Sequence, residues 1–449
     1  MDPVIERYAQ IATPRYTSYP TAPHFQTGFD PETYRGWLGA LDPAEPLSLY
    51  LHVPFCRQMC WYCGCNMKLV KREGPLKDYV ETLLSEIALV RDALPGRLRV
   101  AHLHWGGGTP TALAPDDLAR VTAALETAFD ILPDAERAIE SDPRTLTDAM
   151  VARLADLGFN RASFGVQEFD PEVQRTINRI QPPEMVAEAV GAFRRHGIDA
   201  INFDLIYGLP HQTTEKLLRT IDLAAEMAPD RIALFGYAHV PWVAKNQRMI
   251  PEDALPDARA RADQAAAAAE AVVAAGYRAI GLDHFALPGD GLARAARAGR
   301  LHRNFQGYTD DPAATMIGLG ATSIGRAPQG FVQNLAETGA WARAVAAGTL
   351  PVAKGRAISL DDALRGAVIE RIMCDGRADP DAIGRGFGAA PGWWRAAREQ
   401  LAPMAADGLV EVGAHGVALT DRGRPLARLA AAAFDAYLDT GAARHSVAL

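Results

Sequence analysis

Four of the chain's five cysteines fall between positions 56 and 65, in the stretch "HVPFCRQMCWYCGCN". Cys56, Cys60 and Cys63 have the spacing C-x3-C-x2-C, and Cys65 follows after a single glycine. Thiols at that density have few uses. A disulfide framework suits an oxidising compartment and an even number of cysteines, and here the fifth, Cys374, stands alone. A structural zinc site draws four ligands, usually as separated pairs that close a tetrahedron, and one compact loop fits that poorly. Iron–sulfur clusters are commonly held by four thiolates. Three thiolates from one short loop would leave one iron without a protein ligand, open to a substrate or cofactor.

The rest of the composition narrows the setting. The 449 residues can bury a large core, and length alone suggests roughly two or three domains. A net charge of −8 points away from nucleic acid as a partner. No apolar run reaches membrane-spanning length, and "MDPVIERYAQIATPRYTSYPT" places acids and prolines where a signal peptide would carry an apolar stretch. The expectation is a cytoplasmic protein without membrane insertion, and nothing in the sequence demands more than a monomer.

The elements that must position the cysteines are read from periodicity. From Leu47 on, short β-rich runs ("LSLYLHV", "RVAHLHW", "AERAIES", "NRASFGV", "AINFDLIYGL", "RIALFGYAHV") alternate with helical patterns whose apolar residues recur every three or four positions. Six βα units predict an α/β fold, an incomplete parallel (βα)6 barrel, although a doubly wound open sheet satisfies the same pattern. "DARARADQAAAAAEAVVAAGY" and "RAIGLDHFA" read as a seventh helix and strand. After Ile358 the pattern turns helical, and "LVEVGAHGVALT" reads as a hairpin. The expected division is an N-terminal extension, 1–46, a catalytic domain, 47–357, and a mainly helical, winged-helix-like C-terminal domain, 358–449. Every unusual stretch follows a predicted strand: the cysteine loop, "GGGTPT", "ESDPRT", "GVQEFD", "DLIYGLP" and "GYAHVP". In a parallel barrel such loops converge on the C-terminal face, where active sites are built.

The loop "CRQMCWYC" resembles the C-x3-C-x-aromatic-C signature of radical S-adenosylmethionine (SAM) enzymes. The resemblance extends almost end to end to one family, the oxygen-independent coproporphyrinogen III oxidases, or dehydrogenases. It is carried by "PRYTSYPTA", "LSLYLHVPFC", "CGCN", "LHWGGGTPT", "GFNRASFGVQEF", "VQRTINR", "DLIYGLPHQT", "GLDHF", "LHRNFQGYT" and "LAPMAADGLVEV". It implies a 4Fe–4S cluster, two SAM molecules and a 5′-deoxyadenosyl radical that abstracts hydrogen from an unactivated carbon. The implied reaction is the conversion of two propionates of coproporphyrinogen III to the vinyl groups of protoporphyrinogen IX. An electron donor for the cluster and a terminal electron acceptor are implied as partners.

By the same resemblance, Cys56, Cys60 and Cys63 match the cluster ligands. Cys65 matches a fourth cysteine that the family does not use as a ligand, and it stands as the catalytic candidate. Tyr50, Gly107, Glu140 and Ile324 match positions for the cluster-bound SAM. Tyr62, Gly108, Thr109, Gln167, Arg179, Asp204 and Ala238 match those for the second. Tyr62 departs from an expected Phe and Ser141 from an expected apolar residue. Arg15, Tyr19 and Arg303 are candidates for the substrate carboxylates, since arginine pairs bidentately with carboxylate, and Cys374 reads as a buried apolar-like thiol. Two rivals share the cluster loop. A haem-binding relative is set apart by Cys65 in "CGCN" and by "PRYTSYPT", and a methyltransferase that uses two SAM molecules by "GLDHF" and "LHRNFQGYT".

Overall fold

The computed structural model describes residues 3–413 and 416–438. The chain folds as two compact units, one of residues 26–271 and 313–356, the other of residues 1–25, 272–312 and 357–449.

The first unit is built on a parallel sheet of β1 (Leu47–Val53), β2 (Arg99–Gly107), β3 (Asp130–Ser141), β4 (Arg161–Gln167), β5 (Ala200–Tyr207) and β6 (Arg231–Gly236), each hydrogen-bonded to the next. On the other side of β1 lies β7 (Met316–Leu319), also parallel to it, followed by the antiparallel β8 (Ile324–Ala327) and β9 (Gly330–Asn334). The strand order is linear and β1 and β6 do not pair, so this is the incomplete six-stranded barrel and not a closed one.

Helices return the chain between strands, as parallel pairing requires. Pro183–Arg195 shows why they dock: Val186, Val190 and Phe193 form one buried stripe at helical spacing. Thr147 and Thr213 cap the helices after β3 and β5, accepting from the Met150 and Lys216 N–H groups. In the strands the two-residue period sorts the side chains. Leu103, Trp105, Phe164, Val166, Phe203 and Leu205 are buried, each such side chain contributing about 1.5–3 kcal/mol relative to exposure. The alternate positions, Tyr50, His104, Glu140, Ser163 and Asp204, are neighbours across the strands on the other face, through the pairs Tyr50↔His104, Glu140↔Ser163 and Gly165↔Asp204.

The second unit gathers three separate chain segments. Helix Leu360–Asp375 opens with a capping box between Ser359 and Asp362 and ends at Gly376. The strand Arg377–Ala378, helices Pro380–Gly386 and Arg395–Ala406, and the antiparallel pair Val410–Gly413 and Gly416–Leu419 follow, which is winged-helix order. The predicted hairpin is therefore present, while Ala414 and His415 at its tip lie outside the described residues. Tyr16 and Tyr19 join this unit's core with Ile369, Ile372, Leu401 and Phe434. Tyr16 donates to Asp435 Oδ2 at 3.0 Å, and the Tyr19 hydroxyl accepts from the Ala436 N–H at 2.8 Å. Cys374 is buried with Ile280, Leu301 and Tyr308. The stretch read as a seventh strand is strand as expected, but as two short pieces: Arg278–Ile280 and His284–Ala286 form an antiparallel hairpin, because "GLD" turns the chain back on itself. Among the described residues no helix is long and apolar enough to cross a membrane.

Candidate active site

The cysteine loop leaves β1 and is held at both ends, because Phe55–Cys56 pairs in parallel with Lys68–Leu69. Its interior lacks regular structure, so its backbone carbonyls need other partners. One residue supplies most of them: Asn246 Nδ2 donates to the carbonyl oxygens of Cys60 (3.1 Å), Trp61 (3.2 Å) and Cys63 (2.8 Å). Gln247 Nε2 donates to the Tyr62 carbonyl at 2.7 Å and the Ala238 carbonyl at 3.1 Å, which ties these two site residues to one side chain. Asn178 Nδ2 donates to the Met59 carbonyl at 2.7 Å.

The thiols have distinct surroundings. Thr109 Oγ1 donates to Cys56 Sγ at 3.4 Å. Arg144 Nη2 and Arg179 Nη1 each donate to the buried Cys60 Sγ at 3.3 Å. The N–H of the exposed Cys65 donates to Cys63 Sγ at 3.4 Å. Burial pushes the Cys56 thiol up to about 11, whereas hydrogen bonding to Cys65 brings Cys63 down to about 7. Asp142 braces both arginines, with Oδ2 2.6 Å from Arg144 Nη2 and Oδ1 3.6 Å from Arg179 Nη2.

"GGGTP" follows β2 and needs its glycines. A Cβ on Gly106 would lie 2.6 Å from Glu140 Oε1 and 3.1 Å from the Tyr50 ring, and one on Gly108 would lie 2.7 Å from the Phe55 carbonyl oxygen. The Gly107 N–H donates to Glu140 Oε2 at 3.0 Å, and His104 Nε2 lies 3.3 Å from Oε1. Burial works to raise the Glu140 carboxyl, but His104 and Gly107 outweigh it and hold it below its ordinary value.

These contacts sort the expected residues into two neighbouring groups. Tyr50, midway along β1, meets Gly107 and Glu140 from the ends of β2 and β3; Ile324 joins them through Gly318, which pairs with Tyr50 and packs on the Ile324 backbone. Gly108 and Thr109 lie against Cys56, while Gln167, Arg179 and Asp204 surround Gly165. Tyr62 and Ala238 close that side through Gln247.

Residues 50–224 match the Radical SAM superfamily. Over 442 residues the chain is 51% identical to the oxygen-independent coproporphyrinogen III oxidase of Bradyrhizobium diazoefficiens, covering 98% of each protein. The chain belongs to the oxygen-independent coproporphyrinogen III oxidases. It is 44% identical to the same-named protein of Paracoccus denitrificans, covering 97% of this chain and 96% of that one. The structure of coproporphyrinogen III oxidase from Escherichia coli, described as a radical SAM enzyme, superposes with a TM-score of 0.91 at 38% identity, covering 94% and 98% of the two chains.

The donor set fits what this oxidase family uses. Among the described residues no three His, Cys, Asp or Glu side chains converge on one ion, and a 4Fe–4S cluster does not ask them to, since each thiolate takes its own iron. Arg144 Nη1 and Arg179 Nε are buried without partners, which suits a cluster of thiolates carrying negative charge. Bound iron would also deprotonate the thiol that burial holds at about 11. Ser141 is buried with its hydroxyl unpartnered, at the position where an apolar residue was expected.

Sequence reasoning missed Asn246, Gln247, Arg144, Asp142 and His104. "ESDPRT" was singled out and contains Asp142 and Arg144, so position after a strand was a usable signal for them. Asn246 and Gln247 sit in "VAKNQRM", which has no periodicity and no unusual residue to draw attention.

Proposed function

We propose that this protein catalyses the oxygen-independent oxidative decarboxylation of coproporphyrinogen III, turning two propionate side chains into vinyl groups and giving protoporphyrinogen IX in haem biosynthesis. The observation that carries this reading is the three-cysteine loop at the strand ends of an incomplete parallel barrel, in a chain that matches these oxidases along nearly its whole length. A propionate β-carbon is not acidic, so acid–base chemistry alone cannot start the reaction. When bound, the 4Fe–4S cluster and SAM supply the 5′-deoxyadenosyl radical that removes that hydrogen.

The chain's own residues bind and orient. Cys56, Cys60 and Cys63 are proposed as the cluster ligands, and Cys65 as the exposed thiol whose N–H steadies Cys63. Glu140, kept ionised by His104 and Gly107, is suited to accept from the amino group of a SAM molecule lying beside Tyr50, Gly107 and Ile324. Tyr62, Gly108, Thr109, Gln167, Arg179, Asp204 and Ala238 are assigned to a second SAM molecule. Support for this assignment comes from the way Gln247 and Gly165 draw them together. The three-part order 1–46, 47–357 and 358–449 is retained as a functional division, in which the first and last segments serve the substrate. A cytoplasmic monomer supplied by a separate electron donor and acceptor completes the reading.

The test is anaerobic reconstitution with iron and sulfide, followed by incubation with coproporphyrinogen III, SAM, a low-potential reductant and cell extract as acceptor. Protoporphyrin formed by wild type but not by Cys56→Ser is the expected result. Cleavage of SAM without porphyrin conversion would overturn the substrate assignment.

A further inference from the structure

Within the second unit, one arginine keeps donors that the protein does not use. Arg303 lies on the hairpin formed by His302–Asn304 and Gly307–Thr309. Its guanidinium lies over the Tyr308 ring, 4.4 Å from the centroid. That ring is itself fixed, since the Tyr308 hydroxyl donates to the Met373 carbonyl at 2.8 Å and accepts from the Leu282 N–H at 3.2 Å. Glu370 Oε1 accepts from the Arg303 backbone N–H at 3.4 Å and lies 3.2 Å from His302 Nδ1, which pins the hairpin from below. The side chain is therefore held in place by contacts that leave its fork largely unspent.

Of the three guanidinium nitrogens, Nη2 donates to the Arg15 carbonyl at 3.4 Å, while Nε and Nη1 are buried with no hydrogen-bond partner. Nε and Nη1 lie on the two edges of the planar fork, each beside Nη2. Each edge of the fork therefore carries a donor with no other use in the protein. A buried cationic donor without a partner is costly, and the cost is removed when an anion arrives. The local charge balance agrees. Asp283 already accepts from or pairs with His284 Nδ1 at 2.7 Å. Burial works to raise its carboxyl, but His284, Arg303 and Arg15 together hold it below the ordinary value. Glu370, the other carboxylate beside the hairpin, is already engaged by His302 Nδ1 at 3.2 Å and Arg371 Nη2 at 3.7 Å, so neither carboxylate is given over to the Arg303 fork alone.

We infer that Arg303, assisted by Arg15, is a binding site for a carboxylate of the porphyrinogen substrate. This rests on the function proposed above, because that substrate supplies the propionates. Arg303 binds and orients the macrocycle and takes no part in hydrogen abstraction.

The experiment uses the reconstituted full-length protein and two air-stable probes, coproporphyrin III and its tetramethyl ester, with binding read by porphyrin fluorescence. Arg303→Gln should weaken coproporphyrin III binding by about 10- to 100-fold and leave the ester within about twofold, with Arg303→Lys recovering part of the loss. Should Arg303→Gln fail to fold, Arg15→Gln replaces it, since Arg15 is exposed, with an expected loss of about 3- to 10-fold for the acid only. Wild-type affinity for the acid in the folded variant, or equal losses for acid and ester, would overturn the assignment alone. Wild-type protein that binds neither probe would overturn it together with the function.

Discussion

The cysteine loop and the Arg303 hairpin both collect charged groups around a place for a ligand, and they are built in opposite ways. Around the cysteines, one contiguous stretch supplies the thiols, and the segments that follow β2, β3, β4 and β6 supply everything else. Asn246, Gln247, Thr109, Arg144 and Arg179 hold that loop through hydrogen bonds to backbone and sulfur. Around Arg303, the groups come from residues far apart in the chain, Arg15, Asp283, Tyr308 and Glu370, and two guanidinium nitrogens are left over. A resident cofactor is gripped by a preorganised shell, while a transient substrate needs donors that stand free until it arrives.

The sharpest way to break this contrast is Cys60→Ser. Cluster content, read by iron analysis and electron paramagnetic resonance, should fall and turnover should drop to background, while coproporphyrin III binding stays within about twofold, as independent sites require. Collapse of both readouts would mean that the two regions are not independent. Next in size is Glu140→Gln, which removes the charge facing Gly107 and His104. It should raise the KM for SAM by about 10- to 100-fold at unchanged iron content, and an unchanged KM would remove Glu140 from the SAM site.

Asn246→Ala strips donors from three loop carbonyls. It should speed cluster loss on exposure to a chelator by about tenfold with little change in the KM for SAM. Cluster loss at the wild-type rate would show that the loop does not depend on this residue. The smallest effect concerns Glu86, buried in the barrel unit and accepting from the Gly320 N–H, Asn334 Nδ2 and Trp341 Nε1. Burial raises its carboxyl from 4.5 to about 7, against those three bonds. The folded state therefore keeps a proton that the unfolded chain has lost, and Glu86's contribution to stability falls as pH rises from about 4.5 to about 7, then stays level. The Tm of Glu86→Gln relative to wild type should climb through that window and flatten above it. A constant difference would place the Glu86 pKa near its ordinary value.

The parts legible in the sequence share a physical cause. Strands β1 to β6 announce themselves through short β-rich runs, and each ends at a stretch of unusual residues, so Cys56, Gly107, Glu140, Gln167 and Asp204 could be placed on one face before any coordinates. "RAIGLDHFA" is β-rich and is strand, but a β-rich run carries no record of direction: it turns at Gly281, so one expected strand is two short ones paired with each other. Asn246 was invisible for a related reason. Its role is to satisfy carbonyls of a distant loop, and backbone carbonyls leave no trace in side-chain pattern.

The sequence by itself determined the cluster loop, the repeat of strand and helix and the family, because each is written in contiguous residues whose spacing carries the chemistry. Only the tertiary structure decided that residues 1–25 and 272–312 fold with 357–449, that Asn246 and Gln247 hold the cysteine loop, and that Arg303 lies over Tyr308 with donors to spare. Those outcomes depend on which distant surfaces bury one another and which buried polar groups then find partners. Both are set by packing across the whole chain and not by any local pattern.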